Sequence, residues 1–140
     1  MSITFEKVLV LKNISIFAHS SEMALADLIA VGEEKTYKDG ETVIEEKQTN
    51  RHLYIVLSGM INFVEKDKVI AEVGPRHFFG ETTVFSPAAL PYAIVAAEKT
   101  TVLRFTQNQL YQMLALHSSL AIGFIGELSR RLRLEQTKNS

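Results

Sequence analysis

Between Tyr37 and Phe105, apolar residues recur in short runs separated by turn residues, and this pattern constrains the fold more than any other feature. Thr42-Val43-Ile44 reads as one strand and Leu53-Tyr54-Ile55-Val56-Leu57 as another. Ser58-Gly59 leads into Met60-Ile61-Asn62-Phe63-Val64, which alternates. The polar Glu65-Lys66-Asp67-Lys68 turn returns through Val69-Ile70-Ala71-Glu72-Val73, a hairpin. Gly74-Pro75 marks a further turn, and Ala93-Ile94-Val95-Ala96 and Thr101-Val102-Leu103-Arg104-Phe105 supply later strands.

On either side the period becomes helical. Residues 20–31 carry Ser20 or Ser21 as a cap, Glu22 in the first turn and Leu25, Leu28 and Ile29 on one face, with Gly32 at the end. Thr106 and Gln109 fit a capping box ahead of Leu110, Met113 and Leu114. After His117, Ser118 or Ser119 caps a last helix in which Ala121, Ile125, Leu128 and Leu132 recur, with Arg130, Arg131 and Arg133 on other faces. A helix, about eight short strands and two helices predict a small β-barrel or jelly roll flanked by helices.

With 140 residues and 46% hydrophobic content, the chain suffices for one core. The net charge of −1, with Lys and Arg scattered, advertises no nucleic-acid surface. The absence of cysteine excludes disulfides and thiolate metal sites. The apolar run from Val84 to Ala97 contains Pro87 and Pro91 and falls short of a membrane span, and Val8-Leu9-Val10-Leu11 is too short for a signal-peptide core. The expectation is one cytoplasmic domain over residues 1–140, its core at about 14–118 and its C-terminal helix at about 119–136, cut from a longer polypeptide.

The segment richest in chemistry is Phe78-Phe79-Gly80-Glu81-Thr82-Thr83-Val84. Its glycine lets backbone approach a ligand closely, and a carboxylate stands beside it. Amides at Thr82 and Thr83, at the start of a helical turn, suit an anion. Such an arrangement fits a sugar phosphate, with the carboxylate accepting from a ribose hydroxyl. His77-x-x-x-Glu81 is a poor metal motif, because His19, His52 and His117 stand in separate segments with no His-x-His pair. No Ser-His-Asp or Cys-His arrangement is visible, so the reading is non-enzymatic and without a metal.

Several pieces stand in order and nearly without gaps from about Ile14 to Leu132. They are Ile16-Phe17 before a Ser-capped helix, Tyr37-Lys38-Asp39-Gly40-Glu41-Thr42-Val43-Ile44, Leu53 through Gly59, Val73-Gly74, Phe78-Phe79-Gly80-Glu81 and Ala96-Ala97-Glu98-Lys99-Thr100. Together they resemble the cyclic-nucleotide-binding domain family, the regulatory domain of catabolite-activator type. The resemblance implies an eight-stranded jelly-roll β-barrel, mainly β with flanking α, having an N-terminal helix, a short cassette helix and two C-terminal helices. It implies cyclic AMP or cyclic GMP as the candidate ligand, with no other cofactor, held near Phe79, Gly80, Glu81, Thr82, Thr83, Leu90 and Tyr92. In that family the C-terminal helix often carries the ligand signal and the dimer contact; here its short stripe reads as packing on its own domain, with pairing to a second copy or continuation into an attached effector domain as the alternatives. No helix-turn-helix follows, so direct DNA binding by this chain is not expected.

The same resemblance exposes a gap. Members that bind cyclic nucleotides carry an arginine roughly nine residues after the glutamate, which pairs with the phosphate. That role falls at Leu90, or at Tyr92 if the proline anchors the count, and Thr82 through Glu98 holds neither Arg nor Lys. Removing one partner of a buried ion pair costs roughly 3–5 kcal/mol, or about two to three and a half orders of magnitude in affinity. Helix-end amides are worth only about 0.3–2 kcal/mol and do not replace it. Two loop glycines typical of the family are also replaced, by Lys47 and Asn50. The expectation is a regulatory module with a degenerate cassette, in which Gly80 keeps a turn, Glu81 pairs with a neighbour such as Arg76, and Leu90 and Tyr92 plug the cavity. The alternatives are a working sensor with a cation from elsewhere, such as Arg51, Arg76 or a C-terminal arginine, and a module for a different, neutral ligand on an apolar floor of Leu90 and Tyr92.

Overall fold

A computed structural model describes residues 3–138. The chain divides into two compact units, one being Val31–Leu110 and the other drawn from the chain up to Ala30 and from Tyr111 onward.

Val31–Leu110 holds eight strands: β1 (Glu33–Tyr37), β2 (Thr42–Ile44), β3 (His52–Ser58), β4 (Ile61–Glu65), β5 (Lys68–Val73), β6 (Phe78–Phe79), β7 (Ala93–Ala96) and β8 (Thr100–Thr106). They form two four-stranded sheets of order β1-β8-β3-β6 and β2-β7-β4-β5, and every pairing is antiparallel. One buried cluster draws Tyr37, Tyr54, Val56, Phe79 and Val102 from the first sheet and Ile44, Ile61, Ile94 and Ala96 from the second. The register explains the selection. Tyr54 lies opposite Arg104, Val56 opposite Val102 and Tyr37 opposite Thr100, so alternate residues of three neighbouring strands share one face.

Most strands begin and end within a residue or two of where the apolar pattern puts them. The departures are the two-residue β6, which the apolar pattern did not mark, and β1, which opens at Glu33, four residues before Tyr37. Glu33, Glu34, Lys35 and Thr36 are exposed and carry no hydrophobic signal. They are strand because β8 pairs with them, and charge on an edge strand discourages pairing with other chains.

The β4–β5 hairpin closes as the sequence predicts, with Glu65 opposite Lys68. Its central residues Lys66 and Asp67 both have left-handed backbones, at φ 51° and 64°. A two-residue turn of that kind favours Asn-Gly. Replacing Lys66-Asp67 by Asn-Gly is expected to raise the unfolding free energy by about 1 kcal/mol, read as a higher denaturant midpoint at unchanged slope.

Gly32 stands just past the helix that ends at Val31, as expected, and has a further reason to be small. Its backbone is not left-handed. A Cβ there would stand 2.6 Å from the Phe105 ring and 2.9 Å from Leu103, so the residue is small because β8 packs over it.

A four-residue helix, α3 (Glu81–Val84), follows β6, and a further helix, α4 (Gln107–Leu116), follows β8. The predicted capping box at its start is formed: the Thr106 amide donates to Gln109 Oε1 at 2.9 Å and the Gln109 amide to Thr106 Oγ1 at 3.1 Å.

The other unit contains α1 (Ile3–Lys12), a short 3-10 turn at Ser15–Phe17, α2 (Glu22–Val31) and α5 (Ser118–Lys138). Of the two candidate caps for α2, Ser21 performs the role, its Oγ accepting from the Ala24 amide at 3.1 Å. A single N-terminal helix was expected, and α1 is an addition. Val8 and Leu11 are buried in it while Leu9 is exposed, a spacing too brief to declare itself against a run of apolar neighbours.

The C-terminal helix is also phased differently. Its packed positions are Leu120, Phe124 and Glu127, whereas Ile125 and Leu132 of the predicted stripe are exposed. Phe124 meets Phe17 edge-on at 6.0 Å, and a Cβ on Gly123 would fall 2.0 Å from the Ile16 carbonyl oxygen. Backbone approach to the 3-10 turn therefore sets the face, which apolar periodicity does not report. Glu127 accepts from Arg130, Arg131 and the Ser15 hydroxyl, and these bonds, Arg130's foremost, hold its carboxyl below the usual range. Among the described residues, no helix is long and apolar enough to cross a membrane.

Candidate functional site

The cassette is built outward from β3 and β6. Phe79 is buried at the end of β6, opposite Tyr54. Gly80 then turns the chain at φ 91°, and its carbonyl oxygen accepts from the amides of Thr83 (3.3 Å) and Val84 (2.8 Å). A Cβ on Gly80 would stand 2.3 Å from the His52 carbonyl oxygen and 2.9 Å from Asn50 Nδ2. The glycine is thus required by the protein's own backbone, whether or not a ligand approaches.

The predicted site residues divide. Glu81 opens α3 and is half-buried, and Thr82 beside it is exposed. Thr83 is turned inward: its hydroxyl accepts from Asn50 Nδ2 at 2.9 Å, and its amide is engaged by Gly80. Leu90 is buried in the inter-sheet cluster, its carbonyl accepting from the Lys47 amide at 2.7 Å and its own amide donating to the Gln48 carbonyl at 3.0 Å. Tyr92 is half-buried against the same cluster, and burial, followed by the nearby charge of Glu81, raises the pKa of its phenol. Glu81 and Tyr92 are therefore brought together, while Leu90 belongs to the packed interior.

The most distinctive feature of that interior is a row of rings. Tyr54 stacks on Phe79 at 4.6 Å and 3°, Phe63 meets Phe79 edge-on at 5.9 Å, and Tyr92 stacks on Phe63 at 4.8 Å and 13°. Both geometries are favoured for aromatic pairs. The row joins β3, β6 and β4 to the β7 approach, beside the cassette. Tyr54 and Phe63 were read only as strand residues, since nothing in a single sequence shows which rings will meet.

Asn50 is a second residue whose role was missed. It stands where a family glycine is typical, is 3% exposed, and bonds both to Thr83 and to the backbone of His52. Its side chain ties the cassette to β3. Lys47, at the other replaced glycine, keeps the left-handed backbone at φ 72°.

Arg104 was likewise passed over as a strand residue. It lies on the same face of β8 as Val102, with Nε donating to Glu33 Oε1 at 2.5 Å and further bonds to the Tyr37 and Tyr54 hydroxyls. Burial pushes the Tyr37 phenol up to about 12, against the pull of Arg104, and raises Tyr54 as well. His52 is driven the other way, by burial first and then by the Arg104 charge. Among the described residues, no group of three or more His, Cys, Asp or Glu side chains is placed to hold a metal.

Residues 34–117 match the family model described as the cyclic nucleotide-binding domain. The chain is 24% identical over 132 residues to the potassium channel KAT2 of Arabidopsis thaliana, covering 91% of this chain and 19% of that protein. It is 22% identical over 129 residues to a CRP-like cAMP-activated global transcriptional regulator of Mycobacterium tuberculosis, covering 89% and 58% respectively. The chain therefore spans less than two thirds of the length of either curated relative. Among solved structures, the N-terminal domain of a transcriptional regulator from Streptomyces coelicolor A3(2) matches with a TM-score of 0.81 at 25% identity, covering 94% of this chain and 95% of that one. The sensor domain of the transcriptional regulator DNR from Pseudomonas aeruginosa has the same fold, with a TM-score of 0.82 at 19% identity and coverage of 98% and 95%.

Proposed function

Because the chain belongs to the cyclic nucleotide-binding domain family, we propose that it is a non-enzymatic regulatory module of that type in which affinity for cyclic nucleotide is weak or lost. The observation that carries this reading is the ring row Tyr54–Phe79–Phe63–Tyr92, which fills inter-sheet space beside Gly80-Glu81 with the protein's own side chains. We read the two sheets as an eight-stranded jelly roll closed into a barrel, so the rings lie where a base or ribose would have to enter. The missing cation between Thr82 and Glu98 supports the same conclusion. A nucleotide would need to displace stacked rings and then hold its phosphate without an arginine.

The module acts, on this reading, through protein contacts. Ile122, Ile125 and Leu132 are 68%, 64% and 60% exposed along α5, a face suited to a second copy or to an attached effector domain. Two states of an attached partner would be biased by whatever contacts this face prefers. The place of action is cytoplasmic.

A charge-restoring variant tests the filled-space reading. Tyr92 is half-buried and near Glu81, so Tyr92→Arg restores a cation without placing it deep in the core. Calorimetric titration of Tyr92→Arg with cyclic AMP or cyclic GMP is expected to remain without saturable heat, because Tyr54, Phe79 and Phe63 still occupy the space. Micromolar binding by the variant would show that Tyr54, Phe79 and Phe63 do not exclude the nucleotide, and would overturn the filled-space reading.

A further inference from the structure

Near the Thr106 end of β8 lies a cavity of about 160 Å³ lined by Glu33, His52, Arg104, Thr106 and Gln109. Its donors are set by contacts already described. The capping box commits Gln109 Oε1 to the Thr106 amide, which leaves the Gln109 amide NH2 to donate. Thr106 Oγ1 accepts from the Gln109 amide, so its own proton is also available. The Arg104 side chain is 24% exposed, and its Nε donates to Glu33 Oε1. Glu33 stands on the edge strand and is 61% exposed. A guanidinium is shaped to take an oxyanion with two parallel N–H groups, and here the exposed Glu33 carboxylate meets it through Nε alone, beside the bonds to the two tyrosine hydroxyls.

We propose that this cavity is a recognition site for a small oxyanion, with Arg104 as its anchor, Thr106 and Gln109 as neutral donors, and Glu33 as a resident carboxylate that the incoming anion displaces. The space suits one small group. A cavity of about 150 Å³ accepts a benzene-sized molecule, so the ligand class is a short or single-ring carboxylate or a phosphate. The site is separate from the cassette and does not depend on whether cyclic nucleotide binds there. It gives the module a small-molecule input that the filled inter-sheet space does not exclude.

Titration of the full chain with benzoate and with inorganic phosphate, at ionic strength held constant with sodium chloride, tests the assignment. The readout is backbone NMR. Saturable shifts are expected at Glu33, His52, Arg104 and Gln109, and benzoate or phosphate saturation separately identifies the carboxylate or the phosphate. Glu33→Gln removes the resident charge and should tighten binding by roughly three- to tenfold. Arg104→Gln should abolish it, and Arg104→Lys, which keeps the charge and loses the fork, should weaken it by about tenfold. Absence of saturable shifts in a folded Glu33→Gln variant, or undiminished binding in either Arg104 variant, overturns the proposal.

Discussion

Gly80→Ala is expected to lower the unfolding free energy by about 2–5 kcal/mol. A non-glycine residue in the left-handed region costs roughly 1–2 kcal/mol, and forcing an atom into a packed site typically costs a further 1–3 kcal/mol. Both contributions apply, since Gly80 has φ 91° and its Cβ would stand 2.3 Å from the His52 carbonyl oxygen. That neighbour is backbone and cannot swing aside. Gly40 is the matched control: its φ is 83°, but nothing lies within 4 Å of its Cβ position. Gly40→Ala should therefore lose only the conformational part. Denaturant unfolding of the two variants measures the difference. Equal losses would mean that β3 yields to the extra atom and that the cassette is not pinned as described.

Phe79→Ala is the second large effect. Phe79 is 1% exposed, and its ring contacts Tyr54 and Phe63 directly. Phe→Ala changes in cores cost about 3–5 kcal/mol, part of it for the cavity that remains, out of a usual total of about 5–15 kcal/mol. The variant should melt well below the parent. It should also regain stability on addition of benzene, because a dry apolar cavity of that kind binds small aromatics. Phe79→Leu should lose less, since it keeps more of the apolar volume. A loss below about 1 kcal/mol for Phe79→Ala would place the ring outside a well-packed interior.

The strands and turns were legible wherever one residue type did one job. Leu53 through Val56 form the buried centre of β3, and Thr106 with Gln109 caps α4 by the reciprocal bonds their spacing suggests. The sequence was silent where structure comes from a partner element. Glu33–Thr36 is strand only through pairing with β8, and Gly123 faces inward because the Ile16 carbonyl is there. At the site, Gly80 and Glu81 announced themselves by type and adjacency. Tyr54 and Phe63 did not, as a ring in a strand looks the same whether it meets another ring or aliphatic carbon. Arg104 went unseen because its inward direction follows from register with Tyr54 and Glu33, which depends on pairings across 50 and 71 residues of chain. Asn50 read as a lost glycine, whereas its side chain binds Thr83 and the His52 backbone.

The most direct test is calorimetric titration of the unaltered chain with cyclic AMP and with cyclic GMP. With the inter-sheet space filled by Tyr54, Phe79, Phe63 and Tyr92 and no cation between Thr82 and Glu98, neither nucleotide should give saturable heat below the millimolar range. Micromolar binding of either one would contradict the account. It would mean that the rings move aside for the ligand and that another cation meets the phosphate.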